Sequence, residues 1–329
     1  ELAGPLGLEP AQIEFHCEHV GGGFGSKFGA GAEGQLAAQM SKKYGRPCRV
    51  ALDRKEEQLD SGNRPGSVQY MKVGVNADGE IQGARIHTAG TVGPTGGGGA
   101  VKNPARYRFG TVASSHENLN LNAGYPRAMR APGHPQAQFA IEQMMDELAE
   151  RLDMDPVAFR VRNETSEVRK EMLRVGAERI GWARRRPGGA WPGPVKHGFG
   201  IGVADWGNGR GNATVQVDVY PNGRVEARSG SQDIGTGFRS LIRDCVASEL
   251  KVPGTRVEAL VGVSTYPPGP ASGGSVTSRM VAPRALGAAR QARDALVGLV
   301  ARDWGCAPAQ VALAGGEFAL SLIHISEPT

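Results

Sequence analysis

The chain has 329 residues, 40% hydrophobic and 22% charged, enough to bury a core in about two domains. Its formal net charge of +5 suits an anionic partner, but Lys and Arg are dispersed and aromatics are only 6%, which argues against a nucleic-acid surface. Cys17, Cys48, Cys245 and Cys306 form no C-x-x-C pair and no apolar run is long enough to cross a bilayer, which excludes zinc fingers, a cysteine-held cluster and a membrane span.

The unusual count is 49 glycines, roughly double the average usage of about 7%, gathered in short loops between periodic stretches. A loosely alternating stretch, 13–20, runs into the first loop, residues 21–27 (GGGFGSK). Residues 32–44 predict a helix with a basic last turn (Lys42, Lys43) and a stop at Gly45. Strands are expected over 48–52, 68–75 and 81–88, the last two joined by an NADG turn at 76–79. A second loop, 130–135 (RAPGHP), opens a helix over 136–151. Its expected apolar stripe is Phe139, Met144, Met145, Leu148 and Leu152, with His134 as its cap.

A stretch rich in Pro, Gly and Arg near 182–196 marks a domain boundary, and its run of Arg184, Arg185 and Arg186 reads as a solvated linker. Strands are expected over 198–205, 213–220 and 225–229, with a turn at Pro221, Asn222 and Gly223. The third loop, 231–237 (SQDIGTG), precedes a helix over 238–251. The fourth, 271–278 (ASGGSVTS), precedes a long helix reaching Trp304. Strand, glycine loop and helix follow one another four times, which predicts an α+β fold with mixed sheets.

A helix start leaves amide groups unpaired and carries partial positive charge, and glycine lets a ligand press against those amides. A single loop of this kind is weak evidence. GGGFGSK is not a Walker motif, because Ser26 stands where a glycine precedes the lysine, and no ribose-binding acid follows as in a dinucleotide fold. Four such loops together point to one large phosphorylated or dinucleotide ligand gripped by main chain. A non-catalytic nucleotide- or phosphate-binding module is the alternative reading.

Taken in order, the loops resemble those of the molybdopterin-binding large subunit of the xanthine dehydrogenase and aldehyde oxidase family, in its bacterial aldehyde-oxidase-like form. GGGFGSK at 21–27 is similar to the family's GGGFG(G/S)K, and YPRAMRAPG at 125–133 to its active-site arginine loop. QDIGTG at 232–237 is similar to its pterin loop, and 271–278 to its serine-rich loop. The resemblance spans residues 1–319. It implies two molybdopterin-binding domains, 1–185 and 186–319, the first truncated at its start and the second at its end.

The resemblance also implies roles. Gly22, Gly23, Phe24 and Gly25 would hold the cofactor beside the metal, and Arg130 would be the catalytic residue facing substrate. Gln232, Gly235, Thr236, Gly237, Ser272, Gly273, Gly274, Ser275 and Thr277 would hold the pterin and its phosphates. The cofactor would be molybdenum-molybdopterin, in the cytosine dinucleotide form, with molybdenum held by the pterin dithiolene and by no protein ligand. A [2Fe-2S] group and FAD would sit on partner subunits, a small iron–sulfur subunit and, as an option, an FAD subunit.

The implied reaction oxidises a small molecule with water as oxygen source, a glutamate in a G-x-G-E loop acting as general base. Glu317, in GGE at 315–317, comes too soon after the serine loop to be that base. Its loop is therefore expected to lie beyond the chain, leaving this fragment inactive. Phe28 stands where purine-oxidising relatives carry a glutamate, which favours aldehydes or N-heteroaromatic compounds, with Trp206 as a further pocket aromatic. The compartment, bacterial cytoplasm or periplasm, is left open. The chain begins at Glu1 rather than Met, and 320–329 resembles translated sequencing adapter, so no role is given to His324 or Glu327.

Overall fold

The computed structural model describes residues 1–94, 101, 107–187, 190–207 and 209–320, so the adapter-like tail beyond Leu320 lies outside the described residues. In chain order the elements are α1 (Ala3–Leu6), α2 (Gly31–Tyr44), α3 (Arg54–Asp60), β1 (Ser67–Val75), β2 (Ile81–Val92) and β3 (Thr111–Asn120). Then come α4 (His134–Arg151), α5 (Pro156–Asn163), α6 (Glu167–Ile180), β4 (Gln216–Val219), β5 (Val225–Ser229) and α7 (Phe238–Leu250). The last are β6 (Val257–Val261), α8 (Thr277–Trp304), β7 (Val311–Ala314) and β8 (Glu317–Leu320). The chain is α+β with mixed sheets. Contacts divide it into two compact units, one of Glu1–Ala51 with Gly207–Thr329 and one of Leu52–Trp206. The opening residues thus fold with the last part of the chain, whatever the sequential division at residue 185 says about cofactor-binding segments.

In the Leu52–Trp206 unit, β1 and β2 pair antiparallel and β3 pairs parallel to β2. The hairpin turn closes as its residue types require: Gly79 is left-handed (φ 81°) and donates to the Asn76 carbonyl, while the Asn76 side chain accepts from the Glu80 amide at 2.8 Å. Asn163 then clamps the turn, accepting from the Ile81 amide at 3.0 Å and donating to the Gly79 carbonyl at 2.8 Å. The core joins Ile81, Ala84 and Ile86 of β2 to Ile141, Met145 and Ala149 of α4, with Tyr107, Phe109 and Phe159. The stripe of α4 holds except at one position. Met145 is buried and Met144, Leu148 and Leu152 pack against the core, with Ala137, Ile141 and Ala149 added at four-residue spacing, while Phe139 is 70% exposed. Glu142 also turns inward, because Arg160 and Tyr107 supply partners that make a buried carboxylate tolerable.

The other unit repeats the strand pattern. Strands β4 and β5 form an antiparallel hairpin, closed at left-handed Gly223 (φ 79°), and β6 lies parallel to β5. Helices α7 and α8 cover it with an apolar core of Phe238, Ile242, Val246, Leu250, Val281, Ala285 and Ala289 against Val225, Ala227, Val257 and Val261.

Two expected strands are absent. Residues 48–52 and 198–205 carry no strand among the described residues, and both lack the hairpin turn that would give them a partner. The first glycine loop is likewise preceded only by an isolated bridge, His16 to Val263, rather than by a full strand.

Candidate functional site

Three of the four glycine loops lie in the same compact unit and are brought into contact. Residues 15–17 pair through main chain with 262–264: the Cys17 amide donates to Gly262 O at 2.7 Å and the Ser264 amide to Phe15 O at 2.9 Å. Gly262 is left-handed (φ 81°), and any Cβ there would overlap the Cys17 carbonyl, so only glycine permits this approach. The pairing delivers the chain to the first loop at the edge of β6.

The first loop is built from a tight turn. The Ser26 amide donates to Gly23 O at 3.0 Å, with Gly22 (φ 111°), Phe24 (φ 51°) and Gly25 (φ 106°) all on the left-handed side. Phe24 pays a strain of order 1–3 kcal/mol there, as non-glycine residues do, and its ring is 56% exposed. Helix α2 starts only at Gly31, so the first loop does not sit on a helix N-terminus.

Two close approaches bring this loop and the residue after it, Phe28, to the third and fourth loops. A Cβ on Gly23 would sit 3.8 Å from Ile234 of the third loop. The Phe28 ring lies so close on Gly273 of the fourth loop that a Cβ there would overlap it. Between the third and fourth loops, the Ser272 amide donates to Gln232 Oε1 at 3.3 Å, and the Ser272 hydroxyl donates to the Gln232 carbonyl. Thr277 in turn donates to Ser272 Oγ at 3.3 Å. The fourth loop is shaped by left-handed Gly274 (φ 62°) and Ser275 (φ 57°), and the Gly274 carbonyl accepts from Gly209 at 2.9 Å.

An open cleft of about 520 Å³ runs beside these loops, lined by Glu18, His19, Val20 and Gly21 with Asp233, Gly235, Gly237 and Arg239. Arg239 braces it, donating to Ala259 O at 3.2 Å and to Glu18 O. Asp233 is the most engaged acid there. Burial works against its ionisation, but the amides of Arg239, Gly235, Thr236 and Gly237 outweigh it and hold the carboxyl below its usual range.

The main chain at Gly235 (φ 89°) and Gly237 (φ 80°) is bare, since a Cβ at either would meet nothing within 4 Å. Gln232 Nε2 has no partner among the described residues, and Thr236 is exposed. Open main chain at two glycines, an unpartnered carboxamide N–H and an exposed hydroxyl fit a ligand met by hydrogen bonds, as a pterin cofactor would be. Among the described residues no cluster of His, Cys, Asp or Glu is arranged to hold a metal ion.

The arginine loop belongs to the Leu52–Trp206 unit. Ala131 (φ 59°) and Gly133 (φ 79°) turn the chain into α4, and the Arg130 side chain is exposed. The loop is stapled from behind: the Arg127 amide donates to Asn63 O at 2.9 Å, and Arg64 Nη2 donates to the Arg130 carbonyl at 2.8 Å. His134 does not cap its helix. Gly133 occupies the cap, and the imidazole instead meets Trp206 edge-on at 5.0 Å with Nδ1 4.0 Å from Asp205. Glu317 begins β8 directly after the left-handed turn at Gly315 and Gly316, and is exposed.

Sequence reasoning passed over Asp233, Arg239 and Arg64. For Asp233 a signal existed, an Asp two residues before glycine at a helix start, which is a capping pattern. For Arg64 and Arg239 none did, because their acceptors are carbonyls far along the chain.

The sequence profile of a molybdopterin cofactor-binding domain matches residues 1–164, and a second profile, also described as a molybdopterin cofactor-binding domain, matches residues 140–327. The chain is 30% identical over 294 residues to the aldehyde oxidoreductase molybdenum-binding subunit PaoC of Escherichia coli O157:H7, covering 83% of this chain and 40% of that protein. It is 28% identical to the putative xanthine dehydrogenase molybdenum-binding subunit XdhA of Escherichia coli K12, covering 76% and 37%. Among solved structures, quinoline 2-oxidoreductase of Pseudomonas putida 86 shares the fold with a TM-score of 0.79 at 18% identity, covering 98% of this chain and 46% of that one. The aldehyde oxidoreductase of Desulfovibrio desulfuricans does so with a TM-score of 0.77 at 22% identity, covering 94% and 37%. The chain therefore spans about 40% of the length of the curated relatives it matches.

Proposed function

The chain belongs to the molybdopterin-binding subunits of the xanthine dehydrogenase and aldehyde oxidase family, and from that premise we propose that it is the cofactor-holding part of a molybdenum-dependent hydroxylase. Its proposed substrates are aldehydes or N-heteroaromatic compounds, its proposed cofactor the cytosine dinucleotide form, and its proposed partners an iron–sulfur subunit and an FAD subunit. The domain division at 1–185 and 186–319 is part of the same proposal, as a statement about cofactor-binding segments.

One observation carries the reading: the first, third and fourth glycine loops are tied together in one unit through Gly23 and Ile234, Phe28 and Gly273, and Gln232 and Ser272. When bound, the cofactor supplies the redox chemistry of the hydroxylation. The chain's own residues bind and orient. Gly22, Gly23, Phe24 and Gly25 offer a half-buried, pre-turned main chain. Gln232, Thr236, Ser272 and Ser275 offer hydrogen-bonding side chains, Thr277 braces Ser272 from within, and Gly235, Gly237 and Gly274 leave room for close approach, while the Phe28 ring covers Gly273. Arg130 contributes an exposed positive charge and is given the substrate-orienting role. Phe28 stands on Gly273, where it supports the fourth loop, and Trp206 keeps its proposed place as a pocket aromatic.

The test is metal and nucleotide analysis of the full-length protein. Molybdenum and cytidine monophosphate, released by acid in equal amounts, are the expected result. Molybdenum without a nucleotide would remove the dinucleotide form. A nucleotide without molybdenum would favour the non-catalytic nucleotide-binding alternative.

A further inference from the structure

The arginine loop is gripped by one run of chain at the start of β1. The Asn63 carbonyl accepts from the Arg127 amide at 2.9 Å, and Arg64 Nη2 donates to the Arg130 carbonyl at 2.8 Å. The Pro65 carbonyl accepts from Gln136 Nε2 at 3.1 Å, and Gln69 Nε2 donates to the Gln136 carbonyl at 2.8 Å. Residues 63–69 thus hold the loop at its entry, at Arg130 itself and at the first turn of α4.

This seat is polar where a packing contact is ordinarily apolar. Arg64 is half-buried and meets no carboxylate among the described residues. Its second nitrogen, Nη1, is buried without a protein partner among those residues, as are Gln69 Oε1 and Gln136 Oε1. Neither carboxamide can be turned to relieve this, because each Nε2 already donates to a main-chain carbonyl. One donor and two acceptors on residues so linked are the complement that an internal water completes. Directional bonds of this kind fix position more sharply than apolar contact does, at a greater risk to stability if one member is lost.

We infer that Arg64 is the positioning residue of the arginine loop: its planar guanidinium spans the Arg130 carbonyl and the buried polar layer, and so sets where the Arg130 side chain begins. A lysine, with one point charge, could not reach both. The inference rests on the proposal that Arg130 orients substrate, and adds what orients Arg130. The acceptor is a main-chain carbonyl, so Arg130→Ala removes the working side chain and leaves the contact with Arg64 in place. That separates the two roles.

The test uses the full-length protein with its cofactor and partner subunits, as Arg64→Ala, Arg64→Lys, Arg130→Ala and the double variant Arg64→Ala/Arg130→Ala. The first readout is hydrogen exchange at the Arg127 and His134 amides, which bond to Asn63 O and Ala131 O. Exchange there should be about tenfold faster in Arg64→Ala and unchanged in Arg130→Ala. The second is kcat/KM for benzaldehyde per molybdenum bound, with ferricyanide as electron acceptor. Arg64→Ala should lower it by about tenfold to a hundredfold, and Arg64→Lys, which keeps the charge and loses the fork, nearly as far. In the Arg130→Ala background the same change should lower it by no more than about twofold, since the side chain it positions is gone.

Losses that multiply in the double variant would overturn the inference, because Arg64 would then act through the fold at large. Unchanged exchange in both Arg64 variants would overturn it as well. Should Arg64→Ala fail to fold, Arg64→Lys, alone and with Arg130→Ala, carries the same comparison. If Arg130→Ala keeps full activity, what fails is the substrate-orienting role of Arg130, and the inference falls with that reading.

Discussion

The two compact units carry sheets of one design and stabilise them by opposite means. Each has a glycine-closed antiparallel hairpin with a third strand parallel to the second, β1-β2-β3 in one and β4-β5-β6 in the other. In the unit with three glycine loops the core cluster is wholly aliphatic and aromatic, and the polar bonds that shape the loops lie outside it. In the unit with the arginine loop, charges run into the core. The Arg160 side chain is fully buried, with Nε donating to Glu142 Oε2 at 2.9 Å and Nη1 2.7 Å from Asp146, while the Tyr107 hydroxyl donates to Glu142 at 2.8 Å. Burial first, then Glu142, pushes the Tyr107 hydroxyl up, so it stays a donor throughout the usual pH range. A sheet can be covered by apolar helices or by helices locked through an ion cluster. The second choice fixes geometry at a higher risk, because removing one member strands the others.

That difference sets the largest expected effect. Glu142→Ala leaves the buried Arg160 with half-exposed Asp146 as its one carboxylate partner, beside main-chain carbonyls, and should cost about 3–5 kcal/mol in urea unfolding. Ile242→Val, in the aliphatic core of the other unit, should cost only about 0.5–1.5 kcal/mol. Equal costs would mean that the ion cluster is not what holds α4 to α5, and would collapse the contrast between the units.

Between these two lies the backbone. Gly262→Ala forces an alanine into a left-handed conformation, worth about 1–2 kcal/mol, and pushes its Cβ onto the Cys17 carbonyl. A loss of at least that size is expected, with faster hydrogen exchange at Cys17 and Ser264. If stability falls while those amides keep their protection, the junction at the edge of β6 does not depend on the close approach.

What the sequence revealed followed the same line between local and distant causes. Both hairpins were legible because Gly79 and Gly223 must be left-handed, and α2, α4, α7 and α8 because apolar spacing and glycine stops are local signals. Strand β3 was not, since Thr111–Asn120 is exposed along almost its whole length and shows no alternation. Helix α6 was missed for a similar reason, with Leu173 as its sole buried residue. The glycine loops announced themselves, yet the bonds that shape them did not. Arg64 reaches a carbonyl 66 residues away, and Gln232 reaches Ser272 across 40. Asp233 acts within its own loop, but a reading focused on free amides overlooks the acid that consumes them.

The smallest expected effect compares one carboxylate from each unit. Burial opposes ionisation of Glu164, but Arg169, at 2.6 Å, and the amides of Ser166 and Thr165 hold it below its ordinary value. Asp233 is likewise held down, by main-chain amides with no cationic side chain among the causes. A depressed pKa in the folded state means stability that is fully present above the unfolded value and lost as pH falls through the folded one. Urea midpoints should therefore decline below about pH 5. Glu164→Gln should flatten that decline for the unit of Leu52–Trp206, and Asp233→Asn for the other. Because Glu164 relies on a partly exposed arginine and Asp233 on amide dipoles, 1 M salt should weaken the Glu164 contribution more, the Debye length then being about 3 Å. An equal salt response would place the source of both shifts in burial and hydrogen bonding alone, and would leave the ion pair of Glu164 and Arg169 as a matter of geometry.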